Sequence, residues 1–404
     1  TSGTSGNILI QSAQLETGLV ATDYLNSTSV TAKAGVLIDL PRINYDANGE
    51  NGALLLEPSR QQLLQYSEYF GGSYWTKTGS SVVGGFTSPE GLSNAYKLME
   101  NTSLGGHYIV TASSVSVTNG SAYTQSIFVK ANGRTKIGFR DSQGSGKYAS
   151  FDLSDGTLIE QNGDVFDIEP FLNGWYKISV TMDASGTNWK PTLYLLPDSY
   201  LTGSPQLTTY IGDGTSGVYI FGTQLEPNAT YATSYIPNHG TSGGVTRAAD
   251  SCSVTGASDV IGQTEGTMFI DTKVGDGTNE VYGWLQASLS GNPNDSIQIN
   301  KASSSVQCQI YNGATLTGLV SGGSIVTGQR IKIAIAYKQN DVVLYLNGTQ
   351  IGTDTSTNIP TCAVFQVGSY PPLLNNYTSN GGIKQTTLFK ERLTNAELAT
   401  LTTL

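Results

Sequence analysis

Groups that could perform acid–base or nucleophilic catalysis are scarce in this sequence of 404 residues. A retaining glycosidase built on strands needs two carboxylates about 5–5.5 Å apart, which closely alternating acidic residues such as Glu-x-Asp-x-Glu would supply. That pattern does not occur, and the two histidines, His107 and His239, are expected to have structural or solvated roles. The sequence therefore predicts no catalytic residues, and we expect a protein that is not an enzyme.

Aromatic rings and amides, by contrast, are plentiful and suit the recognition of sugars. Sugar binding uses flat apolar faces together with a few polar groups on a preformed surface. Trp75 and Trp175 lie among strand residues and are expected in the core, whereas aromatic residues near loops are better placed for ligands. The predicted ligand-binding residues are Trp189, Tyr282, Trp284, Tyr370, Asn376 and Tyr377.

No metal site and no cofactor are predicted. The three cysteines, Cys252, Cys308 and Cys362, have spacings that fit neither a zinc site nor a CxxC redox motif. The turn from Asp46 to Gly52 superficially resembles a calcium-binding loop, but the glycine expected at its sixth position is absent. Calcium binding therefore remains an open alternative that the sequence does not support.

The net charge of the chain argues against some kinds of binding partner. Lys and Arg number 21 against 31 Asp and Glu, which gives a formal net charge of −10. An acidic surface repels phosphate backbones, so a nucleic-acid partner is not expected. No apolar run approaches the ~18 residues of a membrane span, so membrane insertion is not expected either.

Short segments of alternating polar and apolar residues recur along the chain, with turns between them. With 48 glycines and only 13% charged residues, the composition favours strands and turns over helices. We therefore predict an all-β protein in which two antiparallel β-sandwich (jelly-roll) domains stand in tandem after a short β connector. The predicted boundaries are residues 1–66 for the connector, 67–247 for the first sandwich and 248–404 for the second.

Four local signals predict particular structures. Asn347-Gly348 predicts a two-residue hairpin turn, and Thr394 with Glu397 has the spacing of a helix capping box. The turn from Asp46 to Gly52 predicts a hairpin in the connector. The segment from Glu57 to Leu64 predicts a short helical turn with a proline near its start.

One segment occurs twice along the chain. Thr223-Gln224-Leu225-Glu226 with Ala232-Thr233-Ser234-Tyr235-Ile236 is echoed near the start by Ala13-Gln14-Leu15-Glu16 with Ala21-Thr22-Asp23-Tyr24-Leu25. The later copy closes a β-rich stretch. The earlier copy therefore suggests that Asn7 to Ile10 is the closing strand of a module upstream of residue 1.

Two sets of segments carry resemblances to known families. In the last third, an order of segments resembles laminin-G-like domains of the concanavalin-A-like superfamily: Thr267 to Asp271, Arg330 to Tyr337, Leu344 to Gly352 and Leu388 to Leu398. The middle region resembles the jelly-roll carbohydrate-binding modules that recur in bacteriophage structural proteins, on Leu63 to Phe70, Tyr74 to Lys77, Ala95 to Leu98 and Asn173 to Tyr176. The stretches from Gln224 to Tyr235 and from Leu54 to Arg60 are similar to phage tail and fibre proteins.

These resemblances imply a bacteriophage virion component, such as a tail fibre or receptor-binding protein, that recognises a host cell-surface polysaccharide without cleaving it. They also imply contact with other virion proteins. A homo-oligomer, with a trimer favoured, is expected because linked weak sites raise avidity. Two alternatives stay open: a purely structural head fibre, decoration or connector protein, and a polysaccharide depolymerase. The expected location is the virion, an extracellular particle.

Overall fold

A computed structural model describes residues 41–46, 48–141, 147–162, 165–289, 294–368 and 378–404, and within them the chain is nearly all β, as predicted. The strands are numbered in chain order. The first ten are β1 Ile43–Asn44, β2 Ala53–Leu54, β3 Arg60–Gln62, β4 Trp75–Thr78, β5 Ser80–Phe86, β6 Ala95–Glu100, β7 Leu104–Gly105, β8 His107–Thr111, β9 Val115–Ser116 and β10 Ala122–Asn132.

The next ten strands are β11 Lys136–Asp141, β12 Tyr148–Asp152, β13 Thr157–Asn162, β14 Val165–Phe171, β15 Trp175–Asp183, β16 Asn188–Trp189, β17 Pro191–Leu196, β18 Tyr210–Ile211, β19 Gly217–Pro227 and β20 Val245–Arg247. The remaining strands are β21 Cys252–Thr255, β22 Glu265–Lys273, β23 Asn279–Gln286, β24 Ser296–Ala302, β25 Ser305–Asn312, β26 Thr315–Ser324, β27 Arg330–Lys338, β28 Asp341–Leu346, β29 Thr349–Asp354, β30 Val364–Val367 and β31 Ile383–Phe389.

Helical structure in the described chain is limited to short elements. The α-helix α1 spans Asn395–Thr402, and 3₁₀ turns occupy Leu172–Gly174, Pro205–Leu207 and Ala257–Asp259. Within the described ranges, no helix has the length and apolarity required to cross a bilayer.

The chain forms two compact units that are interleaved in sequence. Unit 1 contains Gln62–Leu225 and Tyr235–Val245, and unit 2 contains Arg42–Gln61, Glu226–Ser234 and Thr246–Leu404. The contiguous boundaries at residues 66 and 247 expected from the sequence therefore differ from this grouping. Two short segments that the sequence assigned to the connector and the first sandwich belong to unit 2.

Unit 1 is built from two six-stranded sheets that enclose one apolar core. Their strand orders are β14-β15-β10-β19-β6-β5 and β13-β12-β11-β17-β8-β4. Alternate residues of facing strands point inward, as a half-exposed strand requires. The fully buried core side chains include Leu98, Ile137, Phe151, Ile178, Val218 and Ile220.

Unit 2 has a seven-stranded sheet, β1-β2-β31-β22-β27-β28-β29, and a six-stranded sheet, β21-β30-β23-β24-β25-β26. Its core includes Met268, Ile270, Ile299, Ile310, Ile333 and Leu344. Cys308 and Cys362 are buried among these apolar side chains, and all three cysteines are free. These two thiols therefore pack as small apolar side chains.

Three of the four local predictions are confirmed. Asn347 and Gly348 adopt φ angles of 47° and 81°, the left-handed conformation that a tight hairpin between β28 and β29 needs. Thr394 and Glu397 form a capping box at the start of α1. In the connector, β1 pairs with β2 across the turn that begins at Asp46.

The helical turn predicted from Glu57 to Leu64 is wrong, because β3 lies there. The side-chain carbonyl of Gln62, which is fully buried, accepts the backbone N–H groups of Leu64 and Leu225 at 2.9 Å each. Leu63 donates its N–H to the carbonyl of Leu225 at 3.0 Å. Long-range hydrogen bonds thus satisfy the backbone groups that a helix would have paired locally.

A buried ionic network explains why the short segments belong to unit 2. Glu57 is 4% exposed, and its carboxylate lies 2.7 Å from Arg42 Nη1, 3.0 Å from Arg247 Nη1 and 2.7 Å from the Ser234 N–H. Asp250 pairs with Arg42 and accepts the backbone N–H of Glu57 at 2.7 Å. The five residues come from all three segments of unit 2.

The charges in this network favour the ionised form of Glu57. Burial alone raises the pKa of Glu57, but the positive charges of Arg247 and Arg42 outweigh it, and the pKa lies below its ordinary value. A carboxylate held in this way stabilises the fold as long as it stays ionised.

Candidate functional site

The outer face of one sheet in unit 1 carries aromatic side chains where a solvated strand would carry small polar ones. In β17, Leu193 and Leu195 point into the core, so Tyr194 between them points outward. In β8, Ile109 belongs to the core and Tyr108 faces outward. These two rings form an aromatic strip on the outer face of the sheet, in which Tyr194 is buried and Tyr108 is half-buried.

Strand register brings the two tyrosines together. Tyr194 pairs directly with Tyr108, and Tyr108 pairs with Thr78 of the edge strand β4. The rings of Tyr108 and Tyr194 have their centroids 4.9 Å apart and are tilted by 42°. Cross-strand aromatic pairs of this kind stiffen the sheet and present an apolar face.

The segment between β17 and β18 forms a wall beside this strip. Gly138 lies under Pro205, and a Cβ added at Gly138 would come within 2.5 Å of the proline ring, so only glycine permits this approach. Tyr200 lies on the same face, with its hydroxyl 2.8 Å from Ser150 Oγ. The hydroxyl of Thr202 donates to Glu160 at 2.6 Å. These contacts fix the wall against the sheet.

Strip and wall enclose a groove of about 440 Å³. Its lining residues are Thr78, Gly106, Tyr108, Val110, Lys190, Tyr194 and Gln206. The position of Lys190 is set by its backbone N–H, which donates to Asp141 Oδ1 at 2.9 Å. The groove thus combines aromatic surface with an ammonium group, an amide and a hydroxyl, which is the chemistry of a polar small-ligand or sugar site.

Trp189 does not line this groove, and its predicted role as a ligand residue is corrected. The side chain is fully buried, its Nε1 donates to Gln125 Oε1 at 2.9 Å, and its ring lies 5.7 Å from that of Tyr123. The polar neighbours of Trp189 suggested a loop. Instead, the short strand β16 pairs with β9 and turns the indole inward.

Tyr282 and Trp284 are also fully buried, in β23 of unit 2, and their predicted contact with a ligand is corrected in the same way. Tyr282 belongs to the core of unit 2. Trp284 pairs with Gln298 on one side and Gln366 on the other. Because both side chains are fully buried, neither ring offers a face to a ligand in solution.

Three further predicted ligand residues, Tyr370, Asn376 and Tyr377, lie outside the described residues, so their role stays a prediction. The same holds for the strand predicted at Asn7 to Ile10 and for the first copy of the repeated segment.

The groove residues Tyr108, Lys190, Tyr194 and Gln206 were missed by the sequence reasoning. A signal for Tyr194 exists, since a tyrosine between Leu193 and Leu195 occupies the solvent-facing position of an alternating strand. Gln206 carries no comparable signal. It joins the groove because of how the chain packs after β17.

Two side chains of catalytic or metal-binding type, His107 and Asp46, take part in hydrogen bonds within the fold. His107 is fully buried, with Nε2 3.2 Å from the Tyr210 carbonyl, which fits the predicted structural role. Within the described residues, no group of three or more His, Cys, Asp or Glu is placed to hold a metal ion. In the calcium-like turn, Asp46 accepts hydrogen bonds from the N–H groups of Asn48 and Glu50 and from the Asn51 amide.

The resemblances of this chain to known proteins are found among solved structures. No family model and no curated protein sequence matches it. Among solved structures, it is similar to the CBM40 of the Ruminococcus gnavus IT-sialidase, at 16% identity and a TM-score of 0.32, over 36% of this chain and 86% of that one.

The same module bound to α2,3-sialyllactose matches at 16% identity and a TM-score of 0.32, over 38% of this chain and 96% of that one. A heptameric SAP-like pentraxin from Limulus polyphemus matches at 14% identity and a TM-score of 0.29, over 34% of this chain and 68% of that one. Likenesses of this size carry no argument about what this chain binds.

Proposed function

We propose that this protein binds a glycan in the groove of unit 1, as a non-enzymatic component of a bacteriophage virion. The observation that carries the binding proposal is the groove itself. There the Tyr108–Tyr194 pair lies beside Lys190 and Gln206 in a depression of about 440 Å³, within the range of small-ligand sites.

Each lining group has a task that sugar chemistry requires. The half-buried ring of Tyr108 offers an apolar surface to the C–H face of a sugar, with Tyr194 packed beside it. The Gln206 amide donates to and accepts from hydroxyl groups, and the Lys190 ammonium donates to hydroxyls or carboxylates. A polysaccharide that carries carboxylates would gain a charge-assisted hydrogen bond at Lys190.

The proposal that the protein does not cleave its ligand draws on the same lining. The lining residues of the groove, all of them described, include no aspartate, glutamate or histidine. Glycoside hydrolysis commonly needs a carboxylic acid and a carboxylate that flank the scissile bond. Binding without cleavage is therefore the activity that this lining supports.

The assignment to a virion is supported by sequence resemblance. The segments from Gln224 to Tyr235 and from Leu54 to Arg60 are similar to phage tail and fibre proteins. In a virion, a single shallow groove would gain avidity from repetition, so we propose a homo-oligomer, with a trimer favoured, that contacts other virion proteins. A strict monomer in sedimentation at assembly concentrations would count against the oligomer.

The test is binding of the labelled, full chain to an array of bacterial surface polysaccharides, with a parallel assay for shortened chains. We expect saturable binding to at least one polysaccharide without shortening. Lys190→Ala and Gln206→Ala should weaken it, whereas Lys97→Ala, on the outer face of the other sheet of unit 1, should not. No binding on any array member would favour the structural alternative, and released oligosaccharides would favour the depolymerase.

A further inference from the structure

Three large aliphatic side chains stand exposed next to the groove of unit 1. Leu207, Leu104 and Ile211 are 77%, 72% and 68% exposed, which places them among the four most exposed large apolar side chains in the part of the chain that the structure describes. Single exposed apolar residues are ordinary on a protein surface, but a contiguous group of them marks a site of interaction. The position of the three residues relative to the groove therefore decides what they do.

Strand alternation places Leu104 in the row of residues that lines the groove. Gly106, Tyr108 and Val110, at every second position, all line the groove. Only Gly106 separates β7 from β8, so the row continues backwards into β7. Because side chains at every second position of a strand share a face, Leu104 lies on the same face as Tyr108. It extends the floor of the groove by about 7 Å beyond Gly106.

The other two aliphatic side chains come from the segment that faces Leu104. Ile211 is the direct cross-strand partner of Leu104, so the two side chains lie side by side on one face. Leu207 directly follows Gln206, which lines the groove. The next carbonyl, that of Thr208, lies only 3.8 Å from where a Cβ on Gly106 would stand. Leu104, Leu207 and Ile211 are called the apolar rim.

Buried contacts hold the apolar rim in place. Tyr210, directly before Ile211, donates its hydroxyl to Glu100 Oε2 at 2.7 Å, and its ring centroid lies 4.5 Å from that of His107. Glu100 is fully buried and also accepts from Nε and Nη2 of Arg134 at 2.8 Å and 2.7 Å. Bidentate, charge-assisted pairs of this kind fix geometry. The rim is therefore a preformed surface.

The size of the apolar rim favours a small apolar group as its occupant. Three aliphatic side chains exposed to this degree present on the order of 300 Å² of apolar surface. A stable protein dimer buries about 800 Å² on each partner, so the rim alone is too small to hold a second copy of the chain. A long lipid chain would leave most of its length in water, because the row ends two residues beyond Gly106. A short acyl group matches the rim.

We propose, on the basis of the glycan binding proposed above, that the groove takes a polysaccharide whose sugars carry short acyl esters. The sugar lies over Tyr108, within reach of Lys190 and Gln206, and the acyl group lies on the apolar rim. Each methylene of the acyl group that moves from water onto the rim strengthens binding by about two- to fourfold. The rim therefore selects esterified glycans over the same glycans without esters.

NMR titrations of the full chain, labelled at leucine and isoleucine methyl groups, with methyl and hexyl β-D-glucoside test the apolar rim. We expect the hexyl glucoside to bind at least about tenfold more tightly and to shift the methyl signals of the three rim residues. Leu104→Ser and Ile211→Ser should each reduce this preference to about threefold or less and leave the binding of methyl glucoside unchanged. Val165→Ser removes an equally exposed apolar side chain from β14, an edge strand of the other sheet of unit 1, and is the matched control that should change nothing.

A second arm compares a polysaccharide that binds on the array before and after mild alkaline removal of its esters. We expect the wild type to bind the treated polysaccharide at least about tenfold more weakly, and Ile211→Ser to show a much smaller difference. Equal binding of both forms, or of both glucosides, would overturn the acyl-ester proposal while glycan binding stands. If no polysaccharide binds, both proposals fail. Capture of the chain by phosphatidylcholine vesicles, or self-association that Leu104→Ser abolishes, would assign the rim to a lipid surface or to a second copy and overturn the acyl-ester proposal as well.

Discussion

Replacing Glu57 by glutamine should destabilise unit 2 strongly. The substitution keeps the shape of the side chain but removes the charge that faces Arg42 and Arg247, whose side chains are only 15% and 14% exposed. Removing one partner of a buried ion pair costs about 3–5 kcal/mol, since the other partner is left buried without compensation. For a unit of this size, each kcal/mol lowers the melting temperature by about 2–4 °C, so we expect a decrease of roughly 6–20 °C.

Differential scanning calorimetry at pH 7 measures this decrease, and hydrogen exchange on peptides from β22 and β27 assigns it to unit 2. The control is Glu50→Gln, an exposed glutamate of the same connector, which should shift the transition by no more than about 0.5 kcal/mol. A Glu57→Gln chain that melts within 2 °C of the wild type would refute the reasoning that this network holds the three segments of unit 2 together.

Three further predictions follow from particular contacts. The pKa of folded Glu57 lies below the ordinary 4.5, so its stabilising contribution is complete above that pH and is lost as the pH falls through the folded pKa. Acid titrations monitored by hydrogen exchange should therefore show a steeper loss for the wild type than for Glu57→Gln. Gly138→Ala should push Pro205 off the sheet and weaken glycan binding several-fold in a titration, while the core stays folded. Thr394→Ala should destabilise α1 by about 0.5–2 kcal/mol, measured by exchange of its amides.

Local sequence signals predicted the parts of the fold that depend on neighbouring residues. The Asn347-Gly348 turn and the Thr394 capping box depend on φ preferences and on side chains three residues apart, so a short window suffices to find them. Gln62 shows the opposite case. Its side-chain carbonyl accepts a hydrogen bond from the N–H of Leu225, more than 160 positions away, and this long-range contact overrides a local helical tendency.

The candidate site was harder to predict from the sequence, because long-range contacts bring its residues together. Trp189 stands among polar neighbours and looks exposed, yet a buried acceptor on Gln125 draws its indole inward. Tyr108 and Tyr194 become a pair only through the register of β8 and β17, and Gln206 reaches them only because Gly138 lets Pro205 approach. A short stretch of sequence contains no signal for any of these contacts.

The central claim is that the groove of unit 1 binds a glycan, and titration of a bound polysaccharide with groove variants tests it most directly. Losing a hydrogen bond from a charged donor costs about 1.5–3 kcal/mol, so Lys190→Ala should weaken binding of a carboxylated glycan about 10- to 150-fold. Tyr108→Leu, which keeps an apolar side chain but removes the flat ring, should weaken it about tenfold. Lys97→Ala should bind like the wild type. Binding that survives both groove substitutions unchanged would contradict the assignment of the groove as the glycan site.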